Sequence, residues 1–184
     1  MLFPKLVILK KYKIFDKIII LRYPKPTDVQ DMMNMINSLV KEGADIAKSK
    51  PVTIQEEKLW LRNSIMSIKN KEKVIILAEM NGVCVGSCEI TRDNYDVSRH
   101  VGTLGIGLVK SARGIGIGTT LIKTALAEAK KRLGLRLVKL YVFDTNNIGK
   151  NIYTEMGFSE IGRIPKGIYH NKKYKDDIIM VKSL

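Results

Sequence analysis

The stretch "VKSARGIGIGTTLIKTALAEAKKR", Val109 to Arg132, places Gly114, Gly116 and Gly118 at every second position and then runs into an unbroken helical pattern. A glycine weakens a regular helix or strand by up to about 1 kcal/mol, so three this close mark a turn with a backbone task. A strand that delivers such a turn to a helix N-terminus leaves several N–H groups unpaired at the positive end of the helix dipole. That cup suits an anion, phosphate above all. A nucleotide P-loop requires Lys and then Ser or Thr after its last glycine, whereas Thr119 and Thr120 follow Gly118. The dinucleotide fingerprint requires a glycine three positions beyond the second, and Thr119 and Leu121 stand three beyond Gly116 and Gly118. What remains is R-x-x-G-x-G, written by Arg113, Gly116 and Gly118 on a strand–loop–helix unit.

Working outward, Leu121, Ile122, Ala125 and Ala129 make one helical face after the loop, and Gly134 ends that helix before the strand "RLVKLYVF". A short helix around "IGKNIYTEM" stops at Gly157, and the runs "FSEIGRI" and "YKDDIIMVKSL" read as strands. Before the loop, "HVGTLGIGLVK" is a strand, and "KVIILAEMNGVCVGSCEITRD" is two β-rich runs joined at Asn81-Gly82, a strong hairpin signal. Thr53 caps a helix with Glu56 as its capping-box partner. Thr27 or Asp28 caps an earlier one whose apolar residues Val29, Met32, Met33, Ile36 and Leu39 recur at three and four, ending at Gly43. "DKIIILRYPKPTD" is a strand stopped by Pro24 and Pro26. Residues 1–16 alternate apolar and polar and add a further strand-like segment at an edge, where a second copy could pair to give a homodimer. The order suits a single α+β domain over 1–184, with three layers, α/β/α, around one central sheet.

With 184 residues, 45% hydrophobic and 27% charged, the chain can bury one substantial core. No apolar run is long enough to cross a bilayer, and lysines interrupt the apolar N-terminus, so neither a membrane nor a signal segment is expected. Cys84 and Cys88 sit four residues apart on one strand, on the same face and too far apart to bond. They read as free packing thiols of a cytoplasmic protein. A formal charge of +14 favours anionic partners, but with only 7% aromatics the basic residues are not interleaved with stacking rings. Nucleic acid is not the expected partner, and no metal site is expected.

The loop resembles the acetyl-CoA binding motif of the GNAT superfamily of N-acyltransferases. A second motif agrees: "NNIGKNIYTEMGF", Asn146 to Phe158, is similar to the family's N-x-x-A-x-x-x-Y-x-x-x-G-F element, with Asn146, Tyr153, Gly157 and Phe158 in place and Gly149 where Ala is usual. The tail, with Tyr174 and Asp176 in Y-x-D, resembles the amino-acid and ribosomal-protein branches. The resemblance covers about residues 17 to 184. It implies a GNAT-like fold, a mostly antiparallel twisted sheet flanked by about four helices, and an acetyl-CoA-dependent N-acetyltransferase.

By that resemblance, the backbone from Arg113 through Gly114, Ile115, Gly116, Ile117 and Gly118 to Thr119 holds the cofactor pyrophosphate. The strand around Leu108, Val109 and Lys110 pairs with the pantetheine amides, and Asn146 lies near that arm. The acceptor, a small amine, an amino acid or a protein amine, must arrive deprotonated, and the departing thiolate needs a proton. Tyr153 matches the general-acid position, or else packs on the sheet. Relatives often carry Glu in the strand before the loop, but Thr103 stands there, between Gly102 and Leu104. The base is then Glu89 acting through water, His100, or a water wire with no single essential group. Trp60 and Glu56-Glu57 either wall the acceptor cleft or lie in core and solvent respectively. The alternative to an enzyme is a non-catalytic CoA-sensing or nucleic-acid-binding module on the same scaffold.

Overall fold

The computed structural model describes residues 7–184, so the first six residues of the strand-like N-terminal segment lie outside the described residues. The chain runs β1 (Ile8–Ile14), β2 (Lys17–Arg22), α1 (Val29–Glu42), α2 (Ile54–Lys69), β3 (Lys73–Met80), β4 (Val83–Arg92), β5 (Val101–Leu108), α3 (Ile117–Glu128), β6 (Leu137–Phe143), α4 (Asn147–Glu155), β7 (Ser159–His170) and β8 (Lys173–Ser183). The eight strands form one sheet in the order β1-β2-β3-β4-β5-β6-β8-β7. Only β5 and β6 run parallel; the other pairs are antiparallel. The fold is α+β, a mostly antiparallel sheet between helical layers, and no helix among the described residues is long and apolar enough to cross a membrane.

Two clusters fill the two faces. Met32 and Met35 of α1 and Leu61 of α2 pack with Ile75 and Leu77 of β3, while Leu121, Ile122 and Ala125 of α3 pack with Val74, Ile76 and Ala78 on the opposite face. Alternate β3 residues thus serve opposite layers, as a strand buried on both sides requires. Leu121 is fully buried, and truncating it to Ala is expected to cost about 2–5 kcal/mol.

The local signals act largely as the sequence dictates. Asn81 and Gly82 take φ of 51° and 84°, the paired positive values of a tight hairpin turn. Thr53 and Glu56 form their reciprocal capping box, and Gly43 closes α1 at φ 69° with its N–H on Leu39 and Val40 carbonyls.

Three expectations are corrected. Asp28 stands at the α1 N-cap without a side-chain cap bond. Its carboxylate instead takes both arms of the Arg22 guanidinium at 2.7 and 2.9 Å, with both side chains buried. A fork–fork pair satisfies a buried carboxylate better than one helix N–H does. Second, Cys84 and Cys88 do not share a face. Ala78 pairs with Gly86 but Glu79 pairs with Cys84, so Val85 is an extra residue in β4. This β-bulge inverts the alternation: Cys84 joins the α1/α2 cluster and Cys88 the α3 cluster. Third, β7 runs well past "FSEIGRI" to His170, because it is an edge strand that tolerates Pro165 and irregular register between Ile164 and Ile168.

Candidate active site

Parallel pairing of β5 with β6 ends at Leu104 and Leu140, although β5 continues to Leu108 and β6 to Phe143. Beyond that point β5 is paired only on its β4 side, from Gly105 opposite Glu89 to Leu108 opposite Gly86. Strand β5 then delivers the chain to the glycine turn at the head of α3. Gly114 and Gly116 adopt φ of 75° and 81°, conformations that L side chains rarely take, and a Cβ at either would meet no atom within 4 Å. These glycines are needed for their backbone angle, with open space around them. Among the described residues, no backbone acceptor takes the N–H groups from Gly114 to Thr119, whereas Arg113 N–H donates to Lys110 at 3.2 Å and Thr120 N–H to Gly116 at 3.1 Å. The free donors therefore begin one residue later than Arg113.

The turn opens on a cleft of about 800 Å³ lined by Leu108, Arg113, Gly114, Gly116, Gly118, Thr119, Asn146 and Tyr153. The remaining residues assigned to the cofactor by resemblance do not line it. Val109 and Ile115 pack against the core, Ile117 is fully buried, and Lys110 is exposed. Val109 N–H is taken by Val85 O at 2.9 Å, which ties the loop to the bulge, and Leu108 O accepts from Arg113 Nε at 2.8 Å. Arg113 also forks Glu42 at the end of α1, at 2.5 and 3.0 Å. Asn146 caps α4, its side chain accepting from Gly149 N–H at 2.9 Å.

Tyr153 stands on α4, 9% exposed, its ring edge-on to Phe158 at 6.0 Å. It packs in the core cluster and lines the cleft at once. Burial pushes its phenol above the usual range, with neighbouring Cys88 adding to the effect, so the hydroxyl keeps its proton. Burial likewise pushes the Cys84 thiol up to about 11 and raises Cys88 further, so neither offers a thiolate.

A second cavity of about 280 Å³ adjoins the first, sharing Leu39, Ile46, Ile106 and Gly107. Its walls include Met32, Met35 and Ile36 of α1, Glu57 and Trp60 of α2, and Ile75, Ser87 and Glu89 of the sheet. Glu89 pairs with Lys73 at 3.0 Å, and that ammonium sits 5.4 Å over the Trp60 ring. Trp60 is thus a cavity wall, 37% exposed. Glu56 is occupied in the Thr53 cap. His100 is exposed at the far end of β5, lines neither cavity, and contributes its carbonyl to Arg136 and Leu137 N–H groups.

The sequence reading missed Glu42 and the Gly43–Ile46 connection, which line the first cavity, and the bulge beneath the loop. No motif marks Glu42; only its position at the end of an amphipathic helix offered a hint.

Solved structures share this architecture. An acetyltransferase of the GNAT family from Streptococcus pneumoniae is 26% identical and superposes with a TM-score of 0.81, over 90% of this chain and 99% of its own. A ribosomal-protein-alanine N-acetyltransferase from Brucella melitensis, 22% identical, superposes at 0.80 over 89% of this chain and 99% of its own. The Salmonella typhimurium protein yncA, solved with its cofactor acetyl-CoA, is 18% identical at a TM-score of 0.80, over 90% of this chain and 94% of its own. The model of the Acetyltransferase (GNAT) family matches residues 39–158, from the end of α1 to Phe158, and the chain belongs to that family of acetyltransferases.

Proposed function

We propose that this acetyltransferase moves an acetyl group from acetyl-CoA to a primary amine by direct attack. One observation carries the reading: a phosphate-suited cleft holding Tyr153 and a smaller cavity holding Glu89 meet at Ile106 and Gly107. The larger cleft fits the cofactor, because six consecutive N–H groups at the head of α3 are without backbone acceptors, and Gly114, Gly116, Gly118 and Thr119 among them line it. Acetyl-CoA supplies a thioester, which an amine attacks without help from a nucleophile of the protein.

The chain's own residues then have three tasks. The N–H groups of Gly114 to Thr119 bind the phosphates, and the unpaired edge of β5 from Gly105 orients the pantetheine arm as an added strand would. Glu89, opposite Gly105 in the wall of the smaller cavity, draws the proton from the incoming amine through water. Tyr153 holds a proton at its hydroxyl for the sulfur as the carbon–sulfur bond breaks. Its raised pKa keeps that proton in place as pH rises past the usual phenol value, so kcat should show no alkaline fall from Tyr153 below about pH 10. His100, exposed and outside both cavities, is given no part.

Thiol release from acetyl-CoA across amines, amino acids and N-terminal peptides tests the reading. Turnover with one of these classes above the rate of hydrolysis supports it. Acetyl-CoA binding without turnover, or salt-sensitive binding to nucleic acid alone, overturns it. The outer edge of β1 is where a second copy would pair, which sedimentation reads directly.

A further inference from the structure

The smaller cavity contains one carboxylate that neither the reaction nor a hydrogen bond engages. Glu57, on the first turn of α2, is 8% exposed and lines the cavity wall, yet it makes no hydrogen bond or ion pair through its carboxylate among the described residues. The cavity's other carboxylates are engaged: Glu56 by the Thr53 cap and Glu89 by Lys73. Lys48, exposed on the connection between α1 and α2, also lines the cavity; it forms no ion pair with Glu57, although its charge favours the ionised carboxylate. A carboxylate with no hydrogen-bond partner beside Met35, Ile75 and Trp60 is costly, and its charge is screened less there than at the open surface.

We propose that this cavity selects an acceptor with an apolar body and a second cationic group, and that Glu57 is the side chain that reads that group. The inference rests on the N-acetyltransferase reading above and names its substrate class. With the attacked amine held near Glu89, the body of the acceptor lies along the apolar wall and its second ammonium meets Glu57. A free α-amino acid would bring a carboxylate to a site whose buried charge is already negative, and like charges disfavour it. A simple alkylamine fills the apolar wall but leaves Glu57 unpaired. Burial raises the Glu57 carboxyl above its ordinary range, the charge of Lys48 partly offsets this, and a bound cation would lower it further.

The test compares cadaverine, pentylamine and norleucine as acceptors in thiol-release assays with the wild-type chain and with Glu57→Gln. The expected result is a kcat/KM for cadaverine at least tenfold above that for either competitor. In Glu57→Gln the cadaverine-to-pentylamine ratio should fall to about one, through KM, with acetyl-CoA affinity and melting temperature reporting that the variant is folded. Absence of the preference in wild type, or its survival in Glu57→Gln, overturns the proposal. Pentylamine or norleucine as the best acceptor defeats the proposal and leaves the acetyltransferase reading standing. If nothing is acetylated, calorimetric titration of cadaverine and pentylamine into the CoA-loaded protein decides the matter: tighter cadaverine binding lost in Glu57→Gln supports the cavity's selectivity even as the catalytic reading fails, and equal or no binding overturns it.

Discussion

On one side of Ile106 and Gly107 the cleft works with main chain, on the other with side chains. The side proposed for the cofactor offers N–H groups from Gly114 to Thr119 and the unpaired edge of β5, groups that every residue except proline carries. The side proposed for the acceptor offers Glu57, Trp60 and Glu89, brought from two elements by the packing of α1 and α2 on the sheet. A backbone site is defined by conformation and breaks when a φ angle is denied. A side-chain site is defined by identity and changes its preference when one group is replaced.

The variant that should separate the two sides most sharply is Gly116→Val. At φ 81° a β-branched residue is strained by roughly 1–3 kcal/mol, although its Cβ would meet nothing. Acetyl-CoA affinity, read by calorimetry, should fall by about a hundredfold or more while the chain still melts cooperatively. Next in size is Tyr153→Phe, which keeps the ring in the core and removes the proton. It should lower kcat by about a hundredfold and leave acetyl-CoA affinity near that of the parent. A comparable loss in affinity would move Tyr153 from the chemistry to the binding side.

Glu89→Gln should have a smaller effect, about tenfold in kcat/KM and greatest at low pH, because bulk water still accepts protons when the relay is lost. Stopped assays across pH would show it, and an unchanged profile would favour a water wire without Glu89. Smaller again is Glu42→Gln, which releases Arg113 from its fork. Both side chains are partly exposed, so stability should change by no more than about 1 kcal/mol, and acetyl-CoA affinity should become more sensitive to salt, because the freed guanidinium adds a screenable attraction for phosphate. His100→Asn should alter neither rate nor affinity, since His100 touches neither cavity.

The same division explains what could be read from the sequence. Gly114, Gly116 and Gly118 announced the turn that opens on the larger cleft because backbone conformation leaves a local trace, and Asn146, Tyr153 and Gly157 fell at fixed helical spacing after the next strand. The helices, the Asn81-Gly82 turn and the Thr53 box were legible for the same reason. Glu42 was silent, and Glu57 was left open between cleft wall and solvent, since what matters about them is which distant wall they join. The β4 bulge was silent as well: one extra residue at Val85 depends on how β3 pairs with β4, and it reversed the facing of Cys84. Asp28 followed cap statistics in the sequence but lost its cap to Arg22, which a tertiary contact supplies.

The most direct test of the central claim follows the backbone amides of Gly114 to Thr119 by NMR while CoA is titrated into the labelled protein. The account predicts that these six resonances move together and furthest, shifted downfield as their N–H groups meet phosphate, with the amides at Asn81-Gly82 unmoved. Saturation of the protein with CoA while the six stay where they began would contradict it.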